Sequence, residues 1–175
     1  MPIPFAKHFA RVRVCLEGIY GIRVVIRDIP DPLIGDLNGL EIHIDPACEP
    51  EQRLFLAAHL FGHTAQWNVD PRAFELGSRS QPSVAAQDVP AILDYEREAA
   101  AYALHMLHGT GIKDIDQWFS DYAACDEAYL LHYYRTGEKG EFRSFWRNNV
   151  PPVQPKPVPS FIPTKRRFRM DGVVI

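Results

Sequence analysis

The sequence predicts an α+β domain. Two short β-branched stretches in the first 46 residues supply a small sheet, and four longer segments with apolar residues at helical spacing supply the helices around it. The bulk values agree with one folded unit. The 175 residues are 46% hydrophobic and 23% charged with a net charge of -3, which is the composition of an ordinary globular protein of a size that buries its own core.

Residues 4–20 carry Phe5, Phe9, Val12, Leu16 and Ile19 on one stripe, an amphipathic helix closed by Gly18 or Gly21; a short strand over residues 12–16 is the alternative. Residues 21–29 are rich in Val and Ile, end at Pro30 and read as a strand followed by a turn region of Pro, Gly and Asp. Residues 40–46 alternate apolar and polar after Asn38 and Gly39 and read as a second strand of the same sheet. Pro50 and Glu51 suit a first helical turn, and the run from Leu54 to Trp67 is apolar nearly all round, the mark of a buried helix. Residues 70–90 are polar and broken by Pro71, Gly77, Pro82 and Pro90, and read as a mobile lid or binding loop. Two further helices follow over residues 91–108 and 114–134. The second has Ile115, Trp118, Phe119, Tyr122, Tyr129 and Tyr133 on its core stripe, with Asp116, Gln117, Asp121 and Glu127 outside it. A short helix over 141–147 adds Phe142, Phe145 and Trp146 to an aromatic cluster.

Fifteen residues are proline, and six of them fall in 151–163, a density that excludes helix and sheet and predicts an extended arm. The division is therefore a body over 1–150 and a Pro-rich, basic arm over 151–175. Lys165, Arg166, Arg167 and Arg169 around Phe168 could touch nucleic acid or an acidic partner, although a short basic terminus is ordinarily solvated and the negative net charge argues against a general nucleic-acid binder. No apolar run is long enough to span a membrane and the start has no signal-like apolar segment, so a cytoplasmic location is expected. Cys15, Cys48 and Cys125 are widely spaced without a CxxC, as reduced packed thiols are.

The chemistry lies in LFLAAHLFGHTAQW. Positions four apart differ by about 40° around a helix, so His59 and His63 project from one face and can reach one metal. Imidazoles on an otherwise apolar helix need hydrogen-bond partners or a cation. Glu96 and Glu98 on the following helix stand about 200° apart, so only one of them can face the histidines. Glu96 shares a stripe with Ala99, Ala100, Ala103 and Leu107 and is the candidate, because a carboxylate heading a core stripe must be paired or metal-bound. Glu98 lies with Tyr102 and His105 on the more polar side. His105 and His108, at i and i+3 on the same helix, could add ligands or proton relays, but they, and still more His132 and His43, read as surface or satisfied histidines.

AAHLFGH, followed 33 residues after His63 by Glu96-x-x-Ala99-x-x-Tyr102-Ala103, resembles the ImmA/IrrE family of zinc metallopeptidases, whose pattern is HExxH and then E-x-x-A-N-x-F-A. The order of elements over about residues 5–108 is also similar. The resemblance implies a zincin-like fold, with the sheet packed on the metal helix, and His59, His63 and Glu96 as ligands of Zn²⁺. Two positions depart from it. Ala100 stands where the family has Asn, and Leu60 stands where the family has its general-base Glu, a loss that costs about 10²- to 10⁴-fold in rate.

Three readings follow for Leu60. The metal stays and hydrolysis goes, leaving a pseudoenzyme that binds a protein or peptide partner. Alternatively Glu98, or Asp94, Tyr95 or Tyr102, substitutes as base and the chain remains a hydrolase. Thirdly, a 2-His-1-carboxylate set serves Fe²⁺ in non-hydrolytic chemistry. A metal-free helical interaction protein using its basic tail is the reading from a different class.

Overall fold

In the computed structural model the residues described are 2–31, 33–78 and 85–166. Helix α1 (Phe5–Cys15) runs directly into a π-helical turn (Leu16–Tyr20), which ends at Gly21 with the left-handed φ of 68° that glycine accepts without strain. The wider turn, with its i+5 hydrogen bonds, breaks the 3.6-residue phase. Val12 and Leu16 are accordingly fully buried, whereas Ile19, placed on the buried stripe by its spacing, is 76% exposed.

Three strands follow: β1 (Arg23–Ile26), β2 (Gly35–Leu37) and β3 (Glu41–Ile44), in the order β1-β3-β2. The two strands read from the sequence are neighbours, paired in parallel with Arg23 opposite Glu41. β2 lies in the stretch read as a turn and pairs antiparallel to β3, with Gly35 opposite Ile44. Glycine and aspartate are poor strand formers, so β2 is carried by its pairing and by a short hydrogen bond between Asp36 and His43 Nδ1.

Helix α2 (Pro50–Val69) begins with a capping box between Glu49 and Gln52 and with proline in its first turn. All of Leu54 to Trp67 is buried, as the all-round apolar run requires. The stretch read as a loop holds a short helix, α3 (Pro71–Gly77), whose N-terminus Asp70 caps through Arg72 N at 2.9 Å, and a 3₁₀ turn (Ala86–Asp88). Residues 79–84, on which part of that lid expectation falls, lie outside the described residues.

Helices α4 (Val89–Gly109) and α5 (Asp116–Thr136) complete the body. Phe119 and Tyr122 of the aromatic stripe are in the core, but so is Asp121, which the spacing put outside. Its carboxylate accepts from the backbone N–H of Asn149 at 3.2 Å and of Val150 at 3.0 Å, which satisfies it in place of water. A 3₁₀ turn (Phe142–Phe145) replaces the short helix, and Phe142 packs on Tyr122 and Tyr129.

Residues 151–166 contain neither helix nor strand and lie against the body. Val153 N–H donates to Ser120 Oγ at 2.9 Å, Lys156 N–H to Ala101 O at 3.1 Å and Thr164 N–H to Asn68 Oδ1 at 2.9 Å, while Phe161 stacks on Tyr20. Of the basic segment, Lys165 and Arg166 are described, with Arg166 over the Phe74 ring; Arg167, Phe168 and Arg169 lie outside the described residues. Among the described residues no helix is long and apolar enough to cross a membrane, and all three cysteines are free thiols.

The contact that places the rest is between α2 and α4. A Cβ at Gly62 would stand 2.1 Å from Ala99 O and 2.8 Å from Ala99 Cα, so the two helix backbones touch at the one residue without a side chain. Gly62→Ala must push the helices apart. We expect it to lower stability in urea unfolding by at least about 1–3 kcal/mol, the usual range for overpacking, although alanine is the better helix former.

Candidate metal centre

The close approach at Gly62 sets His59 and His63, one turn apart on α2, against Glu96, in the first half of α4. Three donor atoms converge. His59 Nε2 lies 2.9 Å from Glu96 Oε2, His63 Nε2 lies 3.2 Å from the same oxygen, and the two imidazole nitrogens are 3.1 Å apart. All three residues are buried, and this group can hold a metal ion. The rings are fixed by stacking, His59 on Phe55 and His63 on Tyr95, with an edge-to-face contact between the two imidazoles.

The protonation of His63 follows from its neighbours. Gln66 Nε2 donates to Tyr95 O at 3.0 Å and to Glu98 Oε2 at 2.9 Å, which fixes the orientation of the amide. Gln66 Oε1 is therefore the acceptor facing His63 Nδ1 at 2.9 Å, and Nδ1 carries the proton. In neutral His63 the Nε2 lone pair then points at a carboxylate oxygen and a second imidazole nitrogen. With the His59 proton on Nε2 that nitrogen donates to Glu96 Oε2; with it on Nδ1 all three lone pairs converge, which is the arrangement that receives a metal ion. The edges fit a metal: four ligands at 2.0–2.1 Å around zinc stand about 3.3 Å apart. Glu96 Oε1 and His59 Nδ1 are buried without partners among the described residues, so the Glu96 carboxylate keeps unused coordinating capacity. Burial pushes the Glu96 carboxyl up, but the two histidines outweigh it and hold it well below the usual carboxylate range.

Glu98, a candidate substitute base, is committed elsewhere. It accepts from Gln66 Nε2, from Tyr102 OH at 3.3 Å and from Lys156 Nζ. Burial raises its pKa, and the hydrogen bonds from Lys156 and Gln66 reverse the shift downward. Its link to the cluster is the hydrogen bond from Gln66. Arg97, its neighbour in sequence, pairs instead with Glu127 at 2.8 Å. Asp94 is exposed, and Tyr95 is buried with its hydroxyl accepting from Trp67 Nε1 at 2.8 Å. His43 and His108 are bound to carboxylates, His132 packs on Phe145, and none of these, nor His105, joins the cluster.

Asp126 on α5 was not singled out by sequence reasoning. Its Oδ2 lies 4.0 Å from His59 Nε2. Burial pushes its carboxyl up to about 7, His59 opposing the shift and Glu96 adding to it. The signal was available: Asp126 stands one turn from both Tyr122 and Tyr129 of the core stripe, which is the argument that selected Glu96.

His59 and Glu96 also face a cleft of about 460 Å³ between α4 and α5, walled by Ala100 and Ala123 and bordered by Val150 and Val153. Leu60 is fully buried and packs on Gly35 of β2, where a Cβ would meet Leu60 Cδ1 at 3.1 Å. Searches against protein-family models, curated proteins and solved structures give no match to the chain.

Two outcomes are expected from these contacts. Gln66→Leu removes the group that orients His63 and should weaken binding of added Zn²⁺ by about 10- to 100-fold, read by competition with a chelating dye. Leu60→Glu places an unpaired carboxylate in the core and should destabilise the fold by about 3–5 kcal/mol, measured by urea unfolding.

Proposed function

We propose that the protein binds one divalent cation, zinc, through His59, His63 and Glu96, and that it is a relative of the ImmA/IrrE metallopeptidases impaired in peptide hydrolysis. The observation that carries the metal is the triangle of donors whose His63 lone pair is aimed inward by Gln66. The family reading is supported by the HLFGH motif, by Glu96 on the next long helix, and by the order of helix, strands, metal helix and glutamate helix.

When bound, zinc supplies a Lewis acid and a positive charge that joins two helices. His59 and His63 bind it as neutral imidazoles, Glu96 neutralises part of its charge, and Gln66 keeps the His63 proton on Nδ1. The step missing from these residues is proton transfer. Leucine at position 60 neither accepts nor donates a proton, and the Glu98 carboxylate is held by Gln66, Tyr102 and Lys156. With hydrolysis impaired, the function rests on binding, and the apolar cleft beside the centre suits a protein or peptide partner.

Elemental analysis of purified protein should find about one zinc per chain, falling below a tenth of that in His59→Ala and His63→Ala, and the protein should release no more peptide from labelled casein than its chelated form. Iron at the same stoichiometry would overturn the zinc assignment. The absence of metal, with His63→Ala as stable as the parent, would overturn the site. Casein hydrolysis that chelation and His59→Ala both abolish would overturn the impairment.

A further inference from the structure

We propose that Asp126 is a fourth protein ligand of the cation held by His59, His63 and Glu96, closing the centre with side chains from three helices. The inference rests on the metal-binding reading above and deepens it.

Asp126 lacks the partners that explain most half-buried carboxylates. Its side chain is 17% exposed, and among the described residues it makes no hydrogen bond and pairs with no lysine or arginine; its one ion-pair contact is with His59 Nε2 at 4.0 Å. The other charge it feels is Glu96. A partly buried carboxylate beside a second carboxylate is disfavoured as an anion unless positive charge lies between them. A divalent ion held by two neutral imidazoles and two carboxylates gives a centre of zero net charge, the condition a buried site favours.

Asp126 stands just outside the group of three, nearest to His59. His59, His63 and Glu96 form one triangular face with edges of 2.9 to 3.2 Å, and a tetrahedral ion leaves one vertex beyond such a face. That vertex stands about 3.3 Å from each of the other three donors when bonds are 2.0–2.1 Å. Asp126 Oδ2 lies 4.0 Å from His59 Nε2 and outside the 4.8 Å group of the other donors, so it reaches that vertex by changing its side-chain rotamer as the ion binds. Four protein ligands are the signature of a structural zinc site, whereas a catalytic one keeps a position open. The fourth ligand therefore accounts for the same loss of hydrolysis that Leu60 accounts for, by a separate route.

Cobalt(II), which takes zinc sites and absorbs in the visible according to its coordination, separates the outcomes. In the full-length protein loaded with Co²⁺, azide should leave the spectrum unchanged because no position is open. In Asp126→Asn, Co²⁺ affinity should fall at least tenfold, and azide should shift the visible bands as it enters the vacated position. A parent spectrum that azide shifts as readily as that of the variant, or an Asp126→Asn protein of unchanged affinity, overturns the proposal. The parent arm needs no variant to fold. His63→Ala serves as the control: if it loses Co²⁺ while Asp126→Asn does not, the three-ligand site stands and only the fourth ligand fails. If the parent itself binds no Co²⁺, the metal-binding reading fails with it.

Discussion

The backbone contact of Gly62 with Ala99 is the constraint on which the centre depends. Helix axes ordinarily pack 8–10 Å apart, the spacing being set by the side chains between them; with no side chain on one helix at the crossing, α2 and α4 come close enough for short side chains to meet. Imidazoles from α2 and a carboxylate from α4 then share one small volume, with donor atoms about 3 Å apart. The glycine costs α2 some intrinsic helix stability, and the burial of every residue from Leu54 to Trp67 offsets that cost. Gly62 thus serves the fold and the site by the same absence of a methyl group.

Around this contact the polar atoms are ordered in a chain. Lys156, in the segment without regular structure, pairs with Glu98; Glu98 accepts from Gln66; Gln66 accepts from His63 Nδ1; and His63 Nε2 faces the centre. Each link fixes the donor and acceptor sense of the next, and in a buried setting such links strengthen one another. The proline-rich segment is held at several points by backbone N–H donors that proline itself lacks, at Val153, Lys156 and Thr164. Non-proline residues make these attachments, and the prolines stiffen the span between them.

Much of this was legible in the sequence, for physical reasons. A helix buried all round must be apolar all round, so His59 and His63 stood out as groups in need of partners, and a carboxylate on an alanine stripe gave Glu96. Where the reading failed, the cause was non-local. Residues 35–37 have no strand propensity of their own and become β2 through β3. Ile19 leaves the core because one π turn shifts the helical phase, which a fixed 3.6-residue period cannot register. Asp121 and Asp126 lie on the same helix, one buried and satisfied by backbone amides of a distant segment, the other partly buried and facing donors carried by two other helices. Local spacing shows that a carboxylate lies near a buried stripe; it does not show what will meet it there.

The same reasoning bears on why Leu60 is leucine. In this fold position 60 is sealed between α2 and β2, against Gly35, with no exposure to the cleft that His59 and Glu96 border. A glutamate there would need water or a cation within reach to stay charged, and the sheet face offers neither. Leucine instead adds about 1.5–3 kcal/mol of apolar burial at the seam between helix and sheet. In HLFGH the two histidines face Glu96 on α4, while Leu60 between them turns to the sheet and packs there. A cation held by these donors would contribute its binding free energy to folding, because the donors converge only in the folded chain.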